Sequence, residues 1–283
     1  MSKVLAFCSF YIIIDKRLKE KVIDMEFNYK ILNPGGNKTA IVIGNEYSAE
    51  ERKEINNKIL KDNSEVEQVG FISTDKNRLD MAGGEFCVNA TRCAIWEYLK
   101  GKEGEIELEV SGLKSKAKGG ITDGKEVYAD MKVEKTLNTL IEKKGIYNLV
   151  KLDGITLAVV EEKNAKEYIK LLKEDEDTAK EKLKEIMKTF DTEESAVGII
   201  LLEEGNGKTK INPVIWVRTV DTLYYETACG SGSLATTIYK YSMSGLEKLE
   251  VVQPSGYSIN VTLNIEEDYI EKAVILGKVM ENE

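Results

Sequence analysis

The chain sets out one order of parts twice, and that repetition limits what it can fold into. Near residue 70 a β-type run, Val69 to Ile72, leads into the turn Gly83-Gly84-Glu85-Phe86-Cys87-Val88-Asn89-Ala90. A helical stripe follows (Ala90, Ala94, Ile95, Tyr98, Leu99), then an alternating strand from Glu105 to Val110 and a turn at Gly112. The second copy has strands at Val197–Leu202 and Val214–Val220, then the turn Glu226-Thr227-Ala228-Cys229-Gly230-Ser231-Gly232. Leu234, Ala235, Ile238 and Tyr241 form its helical stripe, and Leu249–Val252, Gly256 and residues 258–263 close it. Each half therefore delivers one cysteine, at a helix start, to what reads as a shared cleft.

Composition narrows the chemistry. With 283 residues, 42% of them apolar, the chain can build a full core without disulfides. Its net charge of −9, with basic and acidic residues interspersed, argues against nucleic acid as a partner. The four cysteines (Cys8, Cys87, Cys93, Cys229) have neither zinc-type spacing nor the density of a disulfide framework. Cys8 and Cys93 read as small buried hydrophobes. Histidine is absent altogether, which removes Ser-His-Asp and Cys-His catalysis and the usual zinc ligands, so no metal is expected. Proton transfer must then fall to Cys, Asp, Glu, Lys or Tyr.

Three segments are expected. Residues 1–24 form an N-terminal extension: the apolar run Val4–Ile14 is about half the ~20 residues of a membrane span and lacks a small-residue cleavage site, so a packed strand or an upstream stretch before a start at Met25 is expected. Residues 25–145 form a first domain. It opens with a strand at 27–32, the turn Asn33-Pro34-Gly35-Gly36-Asn37 and a strand at 39–43. A helix from the capping box Ser48/Glu51 to about Leu60 follows, and strand-like stretches at 114–118 and 126–133 complete it. Residues 146–269 form a second domain, with a strand at Ile155–Val160 and a charged helical region over 164–190 that breaks around Glu174–Asp177. The tail, 270–283, is read as a strand returning to the first domain. The protein is expected to be cytoplasmic, with no membrane partner.

A thiol at a helix N-terminus feels the positive end of the dipole, which pulls its pKa down from ~8.5. The same N–H groups suit a carboxylate. Two such turns face to face fit an α-amino acid: its carboxylate on both helix termini, one cysteine on each face of Cα. One thiolate removes the α-proton while the other thiol supplies one, and no pyridoxal cofactor is required.

Cys87-Val88-Asn89-Ala90-Thr91-Arg92 and Glu226-Thr227-Ala228-Cys229-Gly230-Ser231-Gly232 resemble the two signature motifs of the diaminopimelate epimerase family. That resemblance implies an α+β fold of two pseudo-symmetric domains, each a mostly antiparallel β-roll around a central helix, and a cofactor-independent isomerase. It implies Cys87 and Cys229 as the catalytic pair. Substrate contacts would come from Asn37, Gln68, Val88, Asn89, Gly230 and Ser231, with Glu226 and Gly232 in support. Homodimers are common in the family, and a homodimer is the expectation here.

The departures bear on the substrate. The distal amino-acid end of diaminopimelate is held in the family by asparagines and a Glu-Arg pair. Here the corresponding stretches read Leu79-Asp80-Met81-Ala82, Gly154-Ile155-Thr156-Leu157, Ser195-Ala196-Val197-Gly198 and Val220-Asp221-Thr222. Loss of a bidentate arginine contact costs several kcal/mol. Met81-Ala82-Gly83-Gly84-Glu85-Phe86-Cys87 instead resembles the branch that racemises single amino acids, histidine racemases of metallophore type foremost. The favoured reading is an amino-acid racemase with histidine as substrate. The alternatives are diaminopimelate epimerase proper, a phenazine-biosynthesis-like isomerase or proline-epimerase relative, and a non-catalytic amino-acid-binding protein. Val88 stands where the family has glycine.

Overall fold

A computed structural model describes residues 27–44, 46–122 and 126–281; the expectations for residues 1–24 fall outside that range. The fold is mixed α/β, with seventeen strands joined in one hydrogen-bonded network and six helices among the described residues.

The first half begins with strands β1 (Asn28–Asn33) and β2 (Thr39–Gly44), paired antiparallel around the Pro34 turn. Helix α1 (Ala49–Asp62) starts on the expected capping box, with the Glu51 N–H on Ser48 Oγ and the Ser48 N–H on the Glu51 carboxylate. It carries the chain over to β3 (Gln68–Ser73), parallel to β2, and β4 (Arg78–Met81) returns antiparallel. Helix α2 (Val88–Leu99) follows the first cysteine turn, and β5 (Gly104–Val110), β6 (Ala117–Ile121) and β7 (Glu126–Thr136) form a meander beyond it. The strand expected at 114–118 thus lies a few residues later, because residues 111–116 are spent on the turn.

A short helix α3 (Leu137–Leu140) leads into β8 (Ile141–Lys144), β9 (Tyr147–Leu152) and β10 (Ile155–Val160). Helices α4 (Glu162–Glu174) and α5 (Glu176–Met187) meet at Asp175, inside the stretch where a break is expected. They cross over to β11 (Ala196–Gly205), parallel to β10, and β12 (Lys208–Val217) and β13 (Thr222–Tyr225) return antiparallel. Helix α6 (Gly230–Ser244) follows the second cysteine turn, then β14 (Lys248–Val252), β15 (Ser258–Glu266), β16 (Tyr269–Lys278) and β17 (Met280–Glu281). In the tail, β16 lies between β15 and β7, and β17 pairs with β1.

Both post-cysteine helices are buried almost all round, unlike the half-polar α1, α4 and α5. Most of their residues are small or apolar, so each can be surrounded by sheet, with Arg92 and Glu97 of α2 the buried charged exceptions. Val88 and Ile95 of α2 join Leu234 and Ile238 of α6 in a single apolar core. Smaller clusters lie under α1 and under the α4–α5 pair. The two helices touch near their N-termini, where a Cβ on Gly230 would come within 2.7 Å of the Val88 side chain. Any larger residue there would drive the two turns apart.

Candidate active site

Each cysteine is the N-cap of its helix, with extended backbone (φ −133°, ψ 114° at Cys87; φ −136°, ψ 107° at Cys229). The geometry aims free N–H groups at the sulfur: Ala90 N–H donates to Cys87 Sγ at 3.4 Å, and Gly232 N–H to Cys229 Sγ at 3.2 Å. Four residues on, Thr91 Oγ and Ser233 Oγ each donate to the cysteine carbonyl, at 2.8 and 2.7 Å. Cys229 N–H is held by Gln253 Oε1 at 2.8 Å, and Gln253 Nε2 reaches Ser233 Oγ at 3.0 Å.

The turns are joined across the cleft. Asn89 Nδ2 donates to Ala228 O at 2.9 Å, tying the head of α2 to the residue before Cys229. Glu67, at the start of β3, accepts from Thr227 N–H at 3.1 Å, from Thr227 Oγ and from Asn37 Nδ2 at 3.0 Å. The Gln68 amide is fixed on Asn37 and on Thr39 Oγ (2.8 Å), which leaves its Oε1 to accept from Cys87 Sγ at 2.9 Å.

Cys87 and Cys229 line the same cleft. Of the other residues expected at the site, Gln68, Asn89, Glu226, Gly230 and Ser231 line it with them. Three expected contacts stand behind it. Asn37 is fully buried and holds Gln68 and Glu67; Gly232 serves the Cys229 sulfur through its N–H; the Val88 side chain is packed against Gly230. Any contribution of Val88 to a ligand would therefore come from its backbone.

Sequence reasoning missed Glu67 and Glu85 as cleft residues and Gln253 as the support of Cys229. Glu85 is 7% exposed, and its Oε2 has no hydrogen-bond partner among the described residues. Its place two residues before Cys87 was the available signal. The positions that depart from the diaminopimelate pattern also line the cleft: Ala82, Ile155, Ala196 and Val220 form an apolar wall, with Thr222 beside them. Asp221 does not; it turns outward at φ 53° to Lys184 and the Trp216 indole N–H, both at 2.8 Å.

The electrostatics correct one expectation. Both thiols are pushed up from their ordinary pKa: removal from water is the main cause, and the Glu226 carboxylate adds to it. The N–H groups at the helix ends pull the other way and are outweighed, since a thiolate here would be desolvated and would face a carboxylate. The carboxyls share that environment. Burial raises Glu85 to about 7, Glu67 to about 7 and Glu226 to about 8. No lysine or arginine lines the cleft among the described residues, so no cation on its wall offsets the carboxyls, and they titrate near neutrality while the thiols stay protonated.

Together with this site, the relatives of the chain mark it as an isomerase of the amino-acid racemase class. The model of the histidine racemase CntK N-terminal domain matches residues 26–281, and the chain belongs to that family. It is similar to two histidine racemases from strains of Fusobacterium nucleatum subsp. nucleatum. One is 26% identical over 260 residues (88% of this chain, 95% of the relative), the other 27% over 256 (86% and 91%). Among solved structures it shares its fold with a phenazine biosynthesis PhzF-family protein from Enterococcus faecalis (TM-score 0.56, 14% identity, covering 92% of this chain and 98% of that one). It also shares it with a hydroxyproline epimerase from Agrobacterium vitis with bound trans-4-hydroxy-L-proline (TM-score 0.53, 13% identity, 92% and 91%). Among the described residues, no helix is long and apolar enough to cross a membrane.

Proposed function

We propose that this protein racemises histidine by a two-base mechanism in which Cys87 and Cys229 act on opposite faces of Cα, without pyridoxal phosphate. The observation that carries the reading is the pair of cysteine-capped helix N-termini opening into one cleft. The substrate carboxylate sits on the N–H groups at the two helix ends. One cysteine, as thiolate, takes the α-proton; the electron pair passes into the carboxylate, and the other S–H delivers a proton to the opposite face. In the reverse direction the roles exchange.

The side-chain end supports an imidazole. The wall of Ala82, Ile155, Ala196 and Val220 suits a flat, partly apolar ring, and the unpartnered Oε2 of Glu85 is an acceptor for a ring N–H. A second amino-acid head group would find Asn56 but no arginine along the described cleft, so its carboxylate would lack a cationic partner, which disfavours diaminopimelate. In this reading Asn89, Gly230, Ser231 and the backbone of Val88 bind substrate, Asn37 and Gln68 position Cys87, and Glu226 tunes Cys229. The halves 25–145 (with the returning tail) and 146–269 act as two pseudo-symmetric domains closing on the substrate, in a cytoplasmic homodimer that light scattering would test.

The deciding experiment is α-proton exchange in D2O, followed by mass and optical rotation, with L-histidine, other single L-amino acids and the diaminopimelate stereoisomers. Exchange with inversion of histidine is expected. Exchange of diaminopimelate in preference to histidine would overturn the substrate assignment, and exchange of nothing would overturn the enzyme reading.

A further inference from the structure

The Cys87–Arg92 motif ends in a residue that the two-thiol chemistry does not use. Arg92 is 0% exposed and is among the largest fully buried side chains. Its Nη2 donates to Pro34 O at 2.8 Å and to Asn89 Oδ1 at 2.7 Å, while Nε and Nη1 have no hydrogen-bond partner among the described residues. Space for it is built into β16, where a Cβ on Gly277 would lie 2.6 Å from Nη1.

A guanidinium in such a place is costly. An unpaired charge taken out of water loses several kcal/mol unless other charge compensates it. Burial lowers the Arg92 pKa only to about 10, so it stays cationic at neutral pH. The ionisable groups around it are Cys93 beside it on α2, Cys87 at the head of that helix and Glu126 on β7. The Cys87 thiol, in turn, faces the Glu85 and Glu226 carboxyls, which oppose its ionisation. The Ala90 and Asn89 N–H groups pull the other way, and Arg92 is the one positively charged group in this set.

Its contacts lead to both cysteine turns. Pro34 belongs to the turn that sets Asn37, and through it the Gln68 amide against which Cys87 rests. Asn89, fixed by Arg92 on its oxygen, uses its nitrogen to hold Ala228, next to Cys229.

We propose that Arg92 is a positioning residue for racemisation: a buried cation that fixes the Pro34 turn and the Asn89 bridge between the cysteine turns, and supplies the positive charge against which the Cys87 thiolate forms. The proposal rests on the two-thiol reading of the site.

The test compares Arg92→Met, which removes fork and charge, with Arg92→Lys, which keeps the charge. The rate of Cys87 alkylation by iodoacetamide, read on the Cys87 peptide by mass spectrometry in the ligand-free protein, needs no substrate. Loss of the charge in Arg92→Met should slow it about tenfold, the effect of a pKa rise of about one unit; Arg92→Lys should stay within about twofold. In histidine exchange, Arg92→Lys should lose roughly 10-fold in kcat and Arg92→Met roughly 100-fold, with KM changed far less, as misplacement of reacting groups requires. A folded Arg92→Met that alkylates like the wild type overturns the charge role. Should Arg92→Met not fold, Arg92→Lys decides: wild-type kcat overturns the positioning role, and tenfold slower alkylation overturns the charge role. Inertness of the wild type toward every amino acid would refute the racemase reading while leaving the alkylation comparison to stand or fall separately.

Discussion

The two cysteine turns share a backbone, a sulfur-directed N–H, a hydroxyl on the cysteine carbonyl and a raised thiol pKa, yet their immediate neighbours differ. Five residues after Cys87 the helix carries the buried Arg92; five residues after Cys229 it carries Leu234. Cys87 donates to a neutral amide, Gln68, whereas the Cys229 thiol faces the Glu226 carboxyl. The two thiols are therefore not equivalent. A buried cation lies five residues behind the first, and a carboxyl is hydrogen-bonded to the second.

The harshest way to break the symmetry is to remove one sulfur at a time. Cys87→Ser and Cys229→Ser should each lose about 10³-fold or more in histidine exchange with the fold intact by circular dichroism; full turnover in either variant would end the two-base scheme. Glu226→Gln sharpens the contrast. Removing that carboxylate should lower the pKa of both thiols, so both Cys87 and Cys229 should alkylate faster than in the wild type, while kcat drops roughly 10- to 100-fold. Unchanged alkylation of Cys229 would place Glu226 outside its field.

Smaller effects come from the distal carboxyl. Glu85→Gln should raise KM for histidine about tenfold, the loss of one charge-assisted contact, and leave kcat within a few-fold. An unchanged KM would remove Glu85 from substrate recognition. The same variant probes pH. Because Glu85 titrates near 7 in the folded protein and near 4.5 unfolded, the folded state binds the extra proton between those values. Its contribution to stability is complete below pH ~4.5 and is lost as pH rises through ~7. The wild-type Tm should therefore decline from pH 5 to 8 more than that of Glu85→Gln, by a few degrees; parallel Tm curves would contradict the buried-acid assignment.

Much of the frame was legible locally. Ser48 with Glu51, the break at Asp175 and the strand Ile155–Val160 are short-range signals, and they appear where the residues place them. The strand β9 went unread although Asp153-Gly154 is an ordinary hairpin signature, because the apolar run after it drew the pattern to β10 alone. Four-residue strands such as β4 and β13 are too short to show a period. In the site, both cysteine caps were legible from glycine-rich turns followed by helical stripes. The sign of the thiol pKa was not, because it depends on carboxyls brought in by the fold. Glu67 meets Thr227 across 160 positions of sequence, and no local pattern encodes that encounter.

The placement of β16 has a consequence for biosynthesis. That strand fills the gap between β15 and β7, and β17 then covers β1 beside the Pro34 turn. Until residues 269–281 are made, the nascent first half carries an open edge along β7, a template for pairing with other chains. The Gly277 notch that admits Arg92 also arrives only then. The site therefore comes into being only once residues 269–281 have been made, and the first half expressed alone should be a soluble protein only if something else caps that edge.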